Sequence, residues 1–166
     1  MTNFEEAIQI LKQEGVTFAA ILPEEKTFPV PDKELPGSYI TVTSRIYTSD
    51  KKGIAPVMDR MKEDYHFFQG AIVADRVIGK AAAMLLISSG AEKIYGELTS
   101  EHSFTVLEAA KSANSNFEYS VGEVVPYIIN RTGTDMCPME KTVLTLNPEN
   151  VNSAFEPLKK KLEEMA

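Results

Sequence analysis

A chain of 166 residues with 43% hydrophobic and 25% charged residues has the size and composition of one ordinary globular domain, which argues against disorder and membrane residence. The formal charge is −7, and the only basic run, "LKKKLEE", is interleaved with acids at helical spacing, so a nucleic-acid partner is not expected. A single cysteine, Cys137, excludes an internal disulfide and fits a reducing compartment, with the cytoplasm as default.

In chain order, Asn3 is placed to cap a first helix whose Phe4, Ala7, Ile8 and Leu11 form one apolar stripe, and Gly15 ends it. The acidic, amphipathic start differs from a secretory signal. "VTFAAIL" reads as a buried strand. In "PEEKTFPVPDKELPG" four prolines argue against any long regular element. "SYITVTSRIYTS" alternates as a strand does, and "GIAPVMDRMKEDY" has the spacing of a helix with Ile54, Val57, Met58 and Met61 inward.

From Phe67 the pattern is tighter. "FFQGAIVAD" has the continuous apolar centre of a strand covered on both faces. "RVIGKAAAMLLISSG" predicts a helix apolar nearly all round, therefore buried, and far too short to span a bilayer. "EKIYGEL" predicts a strand and "TSEHSFTVLEAAKSAN" a helix capped by Ser100. "NFEYSVGEVVPYII" starts as a strand, "CPMEKTVLTL" predicts a short helix, and 151–165 a last amphipathic one. Strands alternating with helices predict a layered α/β domain with a mostly parallel sheet, without repeats or a second domain.

Two strand-to-helix junctions are candidate sites, because helix N-termini at the carboxyl edge of such a sheet favour anions. In "AIVADRVIGKAAA", Asp75 and Lys80 stand at the first junction. The glycine spacing of a P-loop is absent, and Asp75 as a cap with Gly79 allowing close helix packing is the plainer explanation. In "ELTSEHSFTVLE", Ser100 and Glu101 stand at the second, where capping accounts for Ser100.

The third candidate is "NRTGTDMCPMEK". Asn130, Arg131 and Asp135 form a polar turn, and Cys137-Pro138 opens a helix with proline in its favoured first turn. A thiol at that position, with Arg131 near, could be an activated nucleophile. The two histidines, His66 and His102, have no spacing that ties a base to it. The alternative is a packed thiol, with Glu140 bonding back to the amides of its own turn. Two histidines and one cysteine contain no ligand-spaced pair, so zinc is not expected; the acid-rich chain leaves a carboxylate site for magnesium open, but no clustered signature marks one, and no metal or other cofactor is assigned.

"GAIVADRVIGKAAAMLL", "KIYGELTSEH" and "VPYIINRTGTDMCPMEK" resemble the signature stretches of the bacterial domain-of-unknown-function family DUF1893. The resemblance covers about residues 50–146 and leaves residues 1–48 to periodicity alone. It implies a cytidine-deaminase-like fold, a three-layer α-β-α mixed sheet. Deaminases open one helix with a His or Cys and a Glu, the next with Pro-Cys-x-x-Cys, and hold zinc between them. Both motifs are missing here, so the resemblance implies the fold without its usual reaction.

These readings lead to an expected binding or regulatory module for a small anionic or nucleotide-like ligand, without catalysis. Its cleft would be lined by Asp75, Lys80, Ser100, Glu101, Asn130, Arg131, Cys137 and Glu140. Two alternatives stay open: a metal-independent enzyme using Cys137, and an interaction protein, as a homo-oligomer or a subunit of a metabolic complex.

Overall fold

The computed structural model describes residues 3–166, apart from the side chain of Asn3, so the cap expected there lies outside the described side chains. The elements are α1 (Asn3–Gln13), β1 (Phe18–Pro31), β2 (Tyr39–Ser49), α2 (Ala55–Met61), β3 (Ile72–Ile78), α3 (Lys80–Ser88), β4 (Lys93–Ser100), α4 (Glu101–Ala113), β5 (Glu118–Val125), α5 (Pro138–Val143) and α6 (Phe155–Met165). The strands form one sheet in the order β2-β1-β3-β4-β5. β1 is antiparallel to both β2 and β3, whereas β3, β4 and β5 are parallel. The sheet is thus mixed, as the resemblance implies, and the mostly parallel sheet expected from periodicity is corrected in two of the four pairings.

Three layers result. On one face α1 sets Ala7 and Leu11 against Ala19, Ile21 and Ala74. On the other face α2, α3 and α4 close the larger core, with α5 packed on α3 and α6 on α5. α3 is nearly all apolar because it is covered all round: the sheet lies beneath it, and α2, α4, α5 and the 3-10 turn Val151–Ser153 surround it. Among the described residues, no helix is long and apolar enough to cross a membrane.

The largest departure from expectation is the proline-dense segment. It is not a connector as far as Pro31: β1 runs through it and pairs with β2 from Lys26–Ser44 to Pro31–Tyr39. The physical reason is that β1 contacts β3 only over Phe18–Ile21, so beyond Leu22 one edge of β1 faces no strand. Pro29 and Pro31 stand two apart, on the same side of the strand, where a missing N–H removes no ladder bond. Pro23 falls in the register shift between Ile21 and Lys26. The two-stranded arm this creates is anchored by Phe28, whose ring meets Tyr47 at 5.4 Å and Phe67 at 5.6 Å. Phe18 and Phe68 complete the cluster at 5.7 Å, each such pair contributing about 0.5–1.5 kcal/mol beyond its buried area.

Several boundaries also differ. "FFQG" turns before β3 instead of opening it, and β3 continues past Asp75 to Ile78, so the helix expected from Arg76 begins at Lys80. Arg76 stays on the strand for a reason. Its guanidinium donates to the Leu11 carbonyl at 3.2 Å and the Val16 carbonyl at 3.2 Å, and pairs with Glu97 at 2.9 Å. That clamps the end of α1 to the sheet, while Gly15 takes the left-handed backbone that turns the chain after the helix. The last helix is shorter than expected, its first residues forming the 3-10 turn.

Candidate functional site

β3 and β4 are neighbours and parallel, and each runs directly into a helix. The starts of α3 and α4 therefore lie side by side at the carboxyl edge of the sheet, the place where such sheets accept ligands. The first-turn N–H groups of each start have no backbone partner within their own helix and carry a partial positive charge.

One carboxylate joins them. Glu140, on α5, is 1% exposed; its Oε2 accepts the Lys80 backbone N–H at 3.2 Å and the Ser100 hydroxyl at 3.1 Å. Ser100 caps α4 as the sequence predicts, accepting the Ser103 N–H at 3.1 Å. Glu140 Oε1 is buried without a partner. The expected return of Glu140 to the amides of its own turn is thereby corrected: it reaches across to two other helices.

Gly79 makes that approach possible. A Cβ there would stand 2.3 Å from Glu140 Oε2 and 3.1 Å from Ile128 Cγ1. Gly79 thus clears room for a carboxylate, not for close helix-on-sheet packing as the sequence suggested. The Lys80 side chain turns to the other end of α5 and donates to the carbonyls of Leu144 at 3.0 Å and Leu146 at 2.6 Å. Burial holds the Lys80 ammonium below its ordinary pKa, and the Glu140 charge opposes that shift.

The other expected residues are distributed. Asp75 does not cap a helix; it lies within β3, 5% exposed, with Oδ1 accepting the Val77 N–H at 3.2 Å and Oδ2 unpartnered. Burial pushes its carboxyl up to about 8, against the bonds from Val77 and Arg76. Glu101 is exposed in the first turn of α4, and Arg131 is exposed on the polar turn. Asn130 organises that turn itself: its Oδ1 accepts the Thr134 N–H at 3.0 Å and the Thr132 hydroxyl at 3.1 Å. Cys137 precedes α5 with no cap bond from its sulfur and packs against the core. His66 lies in the turn before β3, its ring against Tyr65, and His102 on α4.

The structure therefore brings Lys80, Ser100 and Glu140 together, with Cys137 one turn before Glu140. Glu101, Asn130 and Arg131 stay at the surface. Sequence reasoning missed the parts played by Gly79, Ile128 and the carbonyls of Leu144 and Leu146; the available signal was a glycine followed by a lysine at the start of a fully apolar helix. A groove of about 670 Å³ lies at the far ends of α3 and α4, beside Ile87, Ala110, Phe117 and Val151, and a shallower one of about 360 Å³ beside Pro138 and Lys161; neither includes an expected site residue.

An ammonium, a hydroxyl and one carboxylate do not fit zinc, which takes three or four nitrogen, sulfur or carboxylate donors from the protein. Among the described residues, no group of three or more His, Cys, Asp and Glu is assembled that could hold a metal ion.

A crystal structure of a DUF1893 family protein from Thermotoga maritima is similar in fold. It has a TM-score of 0.70 at 21% identity, covering 97% of this chain and 91% of that one. No curated protein matches the chain. The model of a domain of unknown function, DUF1893, matches residues 34–162, reaching further in both directions than the signature stretches did, and on that match the chain belongs to the DUF1893 family.

Proposed function

We propose that the chain is a binding or regulatory module without catalytic activity, built on a deaminase-like scaffold that lacks the zinc site, and that its ligand is a small anion, nucleotide-like in the fullest form of the reading. The observation that carries the proposal is the seating of the Glu140 carboxylate between the starts of α3 and α4. A buried negative group held by the Lys80 N–H and the Ser100 hydroxyl is what an anion-receiving edge of this sheet accommodates. The Lys80 ammonium, bonded to the Leu144 and Leu146 carbonyls at the other end of α5, acts on that carboxylate through its charge alone.

The reading as an enzyme using Cys137 gains no support. The sulfur makes no cap bond, and the helix it precedes has six residues, too few to carry a strong dipole.

A thermal-shift series with nucleoside mono-, di- and triphosphates and inorganic phosphate at millimolar concentration tests the proposal. A saturable rise in Tm with at least one of them is expected. No shift with any of them overturns the nucleotide-like, phosphate-bearing ligand.

A further inference from the structure

Glu140 stands where a ligand's carboxylate would stand, and three features around it are more than a core residue requires. The main chain is cleared for an oxygen atom, since any side chain at position 79 would meet Oε2 at 2.3 Å. The buried carboxylate is not saturated: Oε1 has no partner, and a buried polar atom without one is uncommon. The cover is also separable. Ile128 closes over Gly79, yet the hydrogen bonds described for residues 128–137 stay within that segment or go to Lys141. The Cys137 N–H bonds the Ile128 carbonyl at 2.7 Å, the Asn130 N–H bonds the Asp135 carbonyl at 2.8 Å, and Asp135 pairs with Lys141. Lifting this cover as a unit keeps the bonds within the segment and breaks only the exposed pair of Asp135 with Lys141.

We infer that the paired starts of α3 and α4 form a receptor site for a single carboxylate group, that Glu140 is its resident occupant, and that an external carboxylate and Glu140 exclude one another there. The inference rests on the anion reading above and narrows it from anions in general to the carboxylate, the group whose fit the Glu140 side chain displays. Lys80 N–H and Ser100 Oγ are the recognising donors, and the segment 128–137 is the entrance.

Chemical rescue tests it. Glu140→Ala removes the occupant and leaves the donors in place. Its Tm is compared with wild type in sodium formate, acetate, phosphate and chloride at matched ionic strength. The variant is expected to lose stability in chloride and to regain at least half of the lost Tm in formate or acetate, saturably, while wild type responds alike to all four salts. Equal recovery in chloride, or an equal formate effect on wild type, overturns the inference. Recovery in phosphate as complete as in formate overturns the restriction to carboxylates. If the variant does not fold in chloride, the yield of folded protein on dilution from urea into formate or chloride gives the same reading, and equal yields overturn it. Rescue by formate alongside a failed nucleotide series keeps the carboxylate site and rejects the nucleotide-like ligand; a nucleotide shift without rescue does the reverse.

Discussion

Asp75 carries a pH dependence that its surroundings impose. Its carboxyl lies within β3, and burial raises its pKa from 3.8 to about 8. The folded chain therefore keeps this proton through a range in which the unfolded chain has released it. With the folded pKa above the unfolded one, the unfolded state binds fewer protons between those values, and this group's contribution to stability falls as pH rises from 3.8 towards 8. The slope is about 1.4 kcal/mol per pH unit. Asp75→Asn, uncharged throughout, removes it: urea denaturation at several pH values should show the variant gaining on wild type with rising pH, and parallel curves would reject this account. The same residue marks what was legible. A lone acid in an apolar run stood out in the sequence, but its reading as a cap failed because the strand runs on past it and its Oδ1 takes the Val77 N–H inside that strand. The polar turn at Asn130 was conspicuous for the opposite reason: its side chains bond one another. Glu140, which bridges two other helices, was one acid among 24 aspartates and glutamates.

Among elements, the β-to-α units from β3 to α4 were readable because both faces of their strands are covered and the patterning is continuous. The β1–β2 arm was not. Proline in a strand is tolerated only at a free edge, and a free edge is a property of the neighbours, not of the local sequence. Two strands alone are marginal in water, so the arm depends on Phe28 at its base, which is 2% exposed. Phe28→Ala should cost about 3–5 kcal/mol. Hydrogen exchange should quicken over residues 26–31 and 39–44 well before β3 and β4, which lie inside the sheet. Uniform loss of protection across all five strands would show instead that arm and sheet open as one unit.

At the scale of the molecule, the C-terminal segment is part of the core and not an appendage. Ala154 and Leu158 are fully buried with the α3 cluster, and Phe155 meets Tyr65 at 5.2 Å. Removing residues 148–166 should therefore lower Tm sharply and expose apolar surface, measured by calorimetry and dye binding, before any oligomeric state can be compared. An unchanged Tm would contradict this packing. Surfaces for a partner are better sought where large apolar side chains are open: Leu35, Tyr39 and Ile40 at the tip of the arm, and Val124 on β5 with Tyr127 and Ile129 after it. The order of strands and helices could be read from periodicity, but two antiparallel pairings could not, because pairing direction depends on how the chain returns and not on which residues it contains.

The hold of Lys80 on Leu144 and Leu146 has a topological meaning. It fastens the chain 64 residues further on to its own earlier turn, so α4, β5 and the polar turn form a ring locked by an ammonium group instead of a covalent link. Glu140 closes the same ring at the Lys80 N–H and the Ser100 hydroxyl, so α5 comes free only when both holds are lost. Acylation of this lysine should therefore be slow beside that of lysines on the surface, as mass spectrometry of briefly acetylated protein would show.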